Sequence, residues 1–332
     1  MDGAAPEQIT SGPTSEEGIA MAPDGRSLIT AVGLHQKAIW IRDSRGERQI
    51  SIQGHASQPM FSADGMTLFY VVDNAGAFEL WSADVATGRT EPVLPGFSLG
   101  NNGIARLYDL SPDGRQLVLH ALDSAGQSRL WLVPVNRRTA PRPIPNVEGD
   151  GPIFSPAGEI YFRAREGSYG YAYRVLPDGS GLTKVIDYPV ITTQGMSPDG
   201  KWLIVYARYT RPGEEPVAAT MALPVGGGAG VRLFGPTAIN PVKWSRDRRE
   251  LFVSIAQGAY PGQIGQSFVV PLAAGAMLPD LPPHGYATDL DIGKVPGGRT
   301  IDEPDVAPGP SPDVYAFSRE RVQRNLYRIP LP

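Results

Sequence analysis

The 332-residue sequence has no cysteine. Disulfide staples, thiolate nucleophiles and cysteine-based zinc sites are excluded together. Histidine is scarce, and the four present (His35, His55, His120 and His284) show no metal-ligand spacing. No run of about 18 apolar residues occurs, so no membrane-spanning helix is expected. Met1 to Thr10 has neither a basic nor an apolar stretch of the kind a signal peptide needs. Asp and Glu (34) outnumber Lys and Arg (30), for a net charge of −4 with the signs mixed along the chain. No basic block is long enough to follow a phosphate backbone, so nucleic acid is not an expected partner. Gly226-Gly227-Gly228 lacks the Lys-Ser/Thr of a P-loop. Asp289-Leu290-Asp291 lacks the rest of an EF-hand. Neither a cofactor nor a metal is expected.

What the chain does have is glycine (39) and proline (33), with 41% hydrophobic residues. That combination reads as many tight turns between many short strands. A five-residue phrase recurs: Met21-Ala22-Pro23-Asp24-Gly25, Phe61-Ser62-Ala63-Asp64-Gly65, Leu110-Ser111-Pro112-Asp113-Gly114 and Phe154-Ser155-Pro156-Ala157-Gly158. It continues as Met196-Ser197-Pro198-Asp199-Gly200, Trp244-Ser245-Arg246-Asp247-Arg248 and Pro310-Ser311-Pro312-Asp313-Val314. Successive phrases lie 40, 49, 44, 42, 48 and 66 residues apart. In each, an apolar residue ends a strand, Pro presets φ, Asp accepts from the turn backbone, and Gly takes positive φ.

A strand follows each phrase: Ser27–Val32, Leu68–Val72, Gln116–His120, Glu159–Phe162, Trp202–Tyr206, Glu250–Ser254 and Val314–Phe317. A second is expected about ten residues on, as in Ala38–Arg42, Glu79–Ala83 and Leu326–Ile329. Four short strands per repeat of this length form the blade of a propeller. The expectation is an all-β, seven-bladed β-propeller with four-stranded antiparallel blades, six-bladed if the irregular last repeat is no true blade. Blades are expected near 17–52, 57–94, 104–145, 150–187, 192–234, 240–273 and 300–332. A strand at 7–11 would close the ring and remove an open edge. The chain reads as one domain and a monomer.

These phrases resemble those of the TolB-like propellers, a WD40-like class, over nearly the whole chain. The C-terminal text is similar to propellers fused to some bacterial serine/threonine kinases. It reads Asp305-Val306-Ala307-Pro308-Gly309-Pro310-Ser311-Pro312-Asp313-Val314-Tyr315-Ala316-Phe317 and continues through Val322-Gln323-Arg324-Asn325-Leu326-Tyr327-Arg328. The resemblance implies an extracytoplasmic sensing or docking domain. The kinase motifs themselves are missing, with no Gly-rich loop, H-R-D or D-F-G. No kinase activity is therefore expected of this chain.

Gly96-Phe97-Ser98-Leu99-Gly100 matches a nucleophile elbow, but Pro95 before it and Asn101-Asn102-Gly103 after it read as loop. The phrase aspartates recur one per blade, so they mark turns rather than a convergent site. Polar residues expected at the channel mouth are Glu16, Glu17, His55, Gln58, Asn101, Asn102, Arg106, Glu148, Asp150, Thr192, Gln194, Asn240, Glu303 and Asp305. Longer loops in the fourth to sixth repeats carry Tyr169, Tyr171, Tyr209, Arg211 and Tyr260, residue types suited to recognition. The function expected is therefore non-catalytic binding of a protein or small molecule on this face. The alternatives are a channel-centred glycan hydrolase or lyase, and an accessory propeller of a peptidase. For the glycan enzyme, Glu148 with Asp150 or Glu303 with Asp305 would supply the paired carboxylates.

Overall fold

The computed structural model describes residues 15–74, 76–100, 106–209, 217–235, 241–255, 265–287 and 289–330. Among these, the strands form six antiparallel sheets, five of four strands and one of five. A four-residue helical turn, Asp289–Ile292, is the one helix among the described residues. Blade I is typical: His55–Phe61, Thr67–Asn74, Ala77–Asp84 and Thr90–Pro92, paired in that order from the inside outward. The inner strands of the next four blades are Tyr108–Leu110, Asp150–Phe154, Val190–Met196 and Val242–Trp244. That of blade VI is Ala307–Pro308.

The recurring phrase builds the turn after each inner strand. In blade I, Ser62 Oγ donates to Asp64 Oδ1 at 2.6 Å, which also accepts from Met66 N at 2.9 Å. Gly65 closes the turn at φ +75°. Asp113, Asp199 and Asp247 repeat this arrangement. In the sixth phrase Arg248 occupies the glycine's place, at φ +60°.

Burial follows the seams. Six apolar clusters fill the gaps between neighbouring blades, one per seam, and the blade V/VI seam packs Phe252, Val269 and Ile301 on Val306, Tyr315 and Phe317. Ala307–Pro308 lies against the inner strands of both blade I and blade V. The sheets thus follow one another around a ring.

Seven phrases give six sheets because the first and seventh share one. Blade VI takes its two inner strands from the end of the chain and its two outer ones from the beginning. Tyr315–Pro330 pairs with Ser27–Asp43, and Gly46–Gln49 adds outside. The pairs expected as separate strands, 27–32 with 38–42 and 314–317 with 326–329, are each one continuous strand. These strands run past the blade, and Ser15–Met21 joins the overhang to make a three-stranded arm. The first phrase is therefore the turn at the arm's tip, and no blade spans 17–52. The closing strand expected at 7–11 lies outside the described residues.

Candidate functional site

The inner strands bring a charged cluster to the axis. Asp305, at φ +55°, accepts from Gln58 N at 2.5 Å and from Ser318 Oγ at 3.1 Å. Lys243 Nζ lies 3.5 Å from Asp305 and donates to the Pro59 carbonyl at 3.2 Å. Three blades meet at this one ion pair. Gln58 reaches the other way, its side-chain oxygen accepting from Leu107 N and its carbonyl from the Tyr108 hydroxyl, at 3.1 and 2.6 Å. Arg106 pairs with Asp109 at 2.9 Å, and the second Asp109 oxygen accepts from Phe154 N at 2.7 Å. Burial pushes the Lys243 ammonium below its ordinary range, against the pull of Asp305. Burial likewise pushes the Asp109 carboxyl up, against Arg106 and the Phe154 amide.

A second cluster spans blades II, III and IV. Arg163 grips Asp150 with two hydrogen bonds of 2.9 and 2.5 Å and donates to the Ile191 carbonyl at 2.7 Å. Thr193 Oγ1 donates to the Gly151 carbonyl at 2.5 Å. His120 is buried as its apolar strand implied, with Nε2 3.2 Å from Ser128 Oγ. Burial depresses its pKa, while Asp150 opposes that shift and Arg163 adds to it. On the inner strand of blade IV, Gln194 is 3% exposed and Thr192 is buried. Neither amide atom of Gln194 has a hydrogen-bond partner among the described residues.

Of the residues named from sequence, Gln58, Arg106, Asp150, Thr192, Gln194 and Asp305 thus belong to inner strands or the segments leading into them. The two acidic pairs do not converge. Glu148 is exposed on Arg129, at 3.3 Å, while Asp150 faces Arg163. Glu303 leaves Asp305 for Arg319, at 2.5 Å, in a groove of about 400 Å³ between blades V and VI. Burial raises the Glu303 carboxyl against that arginine. His55 opens the first strand of blade I rather than lying in a connection. Tyr169 is 60% exposed at the blade III hairpin, and Tyr171 lies under Lys184 Nζ, 3.5 Å from the ring centre. Tyr209 ends a strand of blade IV, and its side chain lies outside the description, as do those of Glu16 and Glu17. Asn101, Asn102, Arg211, Asn240 and Tyr260 lie outside the described residues. Leu99 of the elbow-like motif bridges Phe78 in an irregular segment.

Lys243, Asp109 and Arg163 were not singled out. Lys243 and Asp109 each stand one residue before the apolar opening of a phrase. Met60, Ile153 and Gly195 hold that place in other repeats. A charge at a place otherwise uncharged was the available signal. Among the described residues no three His, Asp or Glu side chains cluster closely enough to hold a metal ion. No described helix is long and apolar enough to cross a membrane.

Solved structures share this architecture. The putative TolB of Agrobacterium tumefaciens aligns at a TM-score of 0.60 and 18% identity, over 86% of this chain and 99% of that one. In fold, the chain is a TolB-like propeller. TolB from Acinetobacter baumannii aligns at 0.55 and 14% identity, over 76% of this chain and 60% of its own length. An oligogalacturonate lyase in complex with manganese aligns at 0.50 and 15% identity, over 93% and 87%. This chain thus spans about three fifths of the Acinetobacter protein. No family model matches the sequence, and no curated protein matches it. Likeness at this identity speaks for the fold alone.

Proposed function

We propose that this chain is a non-catalytic binding propeller, the extracytoplasmic sensing or docking domain of a bacterial receptor-like serine/threonine kinase or of a TolB-like protein. The observation that carries the reading is the commitment of the acidic groups. Asp109, Asp150, Glu303 and Asp305 are each held by an arginine or lysine. A glycan-cleaving site needs one free general acid and one free base or nucleophile facing a common bond. A surface for binding needs no free carboxylate. It draws instead on exposed side chains such as Tyr169. The kinase association rests on the likeness of the C-terminal text alone.

The test is a pull-down from a bacterial envelope extract on the immobilised chain, beside a variant carrying Tyr169→Ala, Tyr209→Ala and Tyr260→Ala. Retention of one protein by the native chain and its loss from the variant is the expected result. Glycan cleavage by the native chain that disappears in a Glu148→Gln/Asp150→Asn variant shown to be folded would establish the enzyme instead.

A further inference from the structure

The seam between blades V and VI is the least filled of the six. Among the described residues its core has six buried apolar side chains, where the other seams have nine to twelve. The outer part of this gap is the groove of about 400 Å³, a size that holds a small molecule. Register sets its blade VI wall. Tyr315, Arg42 and Glu47 stand in one cross-strand row, and Arg319 lies four residues further along the same face. The other wall is Arg299–Ile301, the outermost strand of blade V, with Asp302 and Glu303 after it.

The arginines of the groove are already spent. Arg319 bonds Glu47 and Glu303 at 2.8 and 2.5 Å, Arg42 lies 3.5 Å from Glu47, and Arg299 is held by Glu250 at 3.0 Å. Arg321 stands over the Trp40 ring, outside the groove. Asp302 and Asp313 line the groove with no salt bridge among the described residues. Asp302 accepts one hydrogen bond, from the Gln266 side-chain amide at 3.4 Å. With Glu250 counted, five carboxylates stand against three arginines. Burial raises the Glu303 carboxyl, and Glu47 and Asp302 add to that, against the pull of Arg319. Among the described residues no three carboxylates lie close enough to hold a metal ion. A second observation is independent of the charges. Tyr315 is 7% exposed and lines the groove, yet its hydroxyl has no hydrogen-bond partner among the described residues. A buried hydroxyl left unpaired is a place for a ligand's donor. Ile301 shares the seam core with Tyr315 and adds an apolar floor. The two unpaired aspartates stand at opposite ends of the Arg299–Ile301 wall. Asp302 follows it directly, while Arg299 donates to the Pro312 carbonyl, beside Asp313, at 3.4 Å. A strand of that length separates its ends by roughly 10 Å. We infer that the groove binds a small aliphatic polyamine, its methylenes over Ile301 and Tyr315 and its ammonium groups toward Asp302 and Asp313.

The experiment is calorimetric titration of the full chain with cadaverine at low salt, beside pentylamine and pentanediol. Cadaverine is expected to bind, pentylamine about tenfold more weakly for want of one charged contact, and the diol not at all. Asp302→Asn/Asp313→Asn changes two exposed side chains, so the variant folds, and it lowers cadaverine affinity by about tenfold or more. Tyr315→Phe lowers it as well. Equal binding by the native chain and the Asp302→Asn/Asp313→Asn variant overturns the inference. So does folded native chain that binds no cadaverine, or binds pentylamine equally well. Acetyl-dilysine amide separates two sources of the same chemistry. Tighter binding than cadaverine assigns the ammonium groups to lysines of a protein, and weaker binding assigns them to a free polyamine. The groove lies apart from Tyr169, on blade III, so the Tyr169→Ala/Tyr209→Ala/Tyr260→Ala variant keeps cadaverine binding and the pull-down fails or succeeds separately.

Discussion

Lys243 and Asp305 stand 3.5 Å apart near the axis, and the lysine spends a second hydrogen bond on the Pro59 carbonyl. The pair links the inner strands of blades V and I through the segment that leads into blade VI. It acts as the clasp where the two ends of the chain meet.

Removing one partner is therefore worse than removing both. Asp305→Asn leaves a largely buried ammonium without its counter-charge and is expected to cost about 3–5 kcal/mol. Lys243→Met added to it recovers part of that loss. Urea unfolding of the single and double variants measures the difference. Equal losses in both would show that the pair contributes only its hydrogen bonds.

Two acids spaced i, i+2 behave oppositely. Arg163→Met strands buried Asp150 and is expected to cost about 3–5 kcal/mol. Glu148→Gln breaks only an exposed pair with Arg129 and changes stability by less than about 1 kcal/mol. Thermal unfolding of the two variants side by side gives the ratio.

Acid unfolding should come in two steps. His120 has its folded pKa depressed, so the folded state binds fewer protons than the unfolded chain. Its contribution is present above the ordinary histidine value of 6.5 and is lost as pH falls below it. Asp64, Asp113, Asp199 and Asp247 are held low by their turn hydrogen bonds. Their contribution is lost only as pH falls below 3.8. Asp109, shifted the other way, adds stability as pH falls toward 3.8, before that second loss begins. His120→Asn should abolish the first step in a series of melting temperatures from pH 7.5 to 3 and leave the second.

Arg248 occupies the left-handed region where five of the other phrases place glycine. Arg248→Gly relieves that strain and is expected to stabilise the chain by about 0.5–1 kcal/mol, despite the freer unfolded state. Gly65→Ala, at φ +75° with Pro310 3.0 Å from the added carbon, should destabilise. A chemical denaturation midpoint that moves the same way for both variants would contradict this account of the turn.

The legible parts of the fold were the local ones. Ser-Pro-Asp-Gly phrases announce a turn because the hydroxyl, the carboxylate and the positive φ act within five residues. Asp64 and Asp113 do what the phrase implies. The pairing of Ser27–Asp43 with Tyr315–Pro330 was not legible, since partners at opposite ends of a chain leave no local mark. Gly33 to Lys37 lacks the alternation of a strand and read as a connection, yet pairing with residues 320–324 keeps it extended. Site residues divided likewise. Gln58, Asp150 and Asp305 were found as polar residues ahead of a phrase. Glu303 was misplaced because its direction is set by Arg319, a residue on another strand.

A chain closed this way cannot finish its ring in the order in which it is made. Glu47 receives the Arg319 guanidinium from 272 residues further on. Until that stretch leaves the ribosome, Ile39 and Ile41, fully buried in the finished protein, are covered only on the blade I side, by residues such as Leu68 and Tyr70. Residues 27–43 must stay out of aggregates until residues 315–330 are made, because that strand ends their exposure.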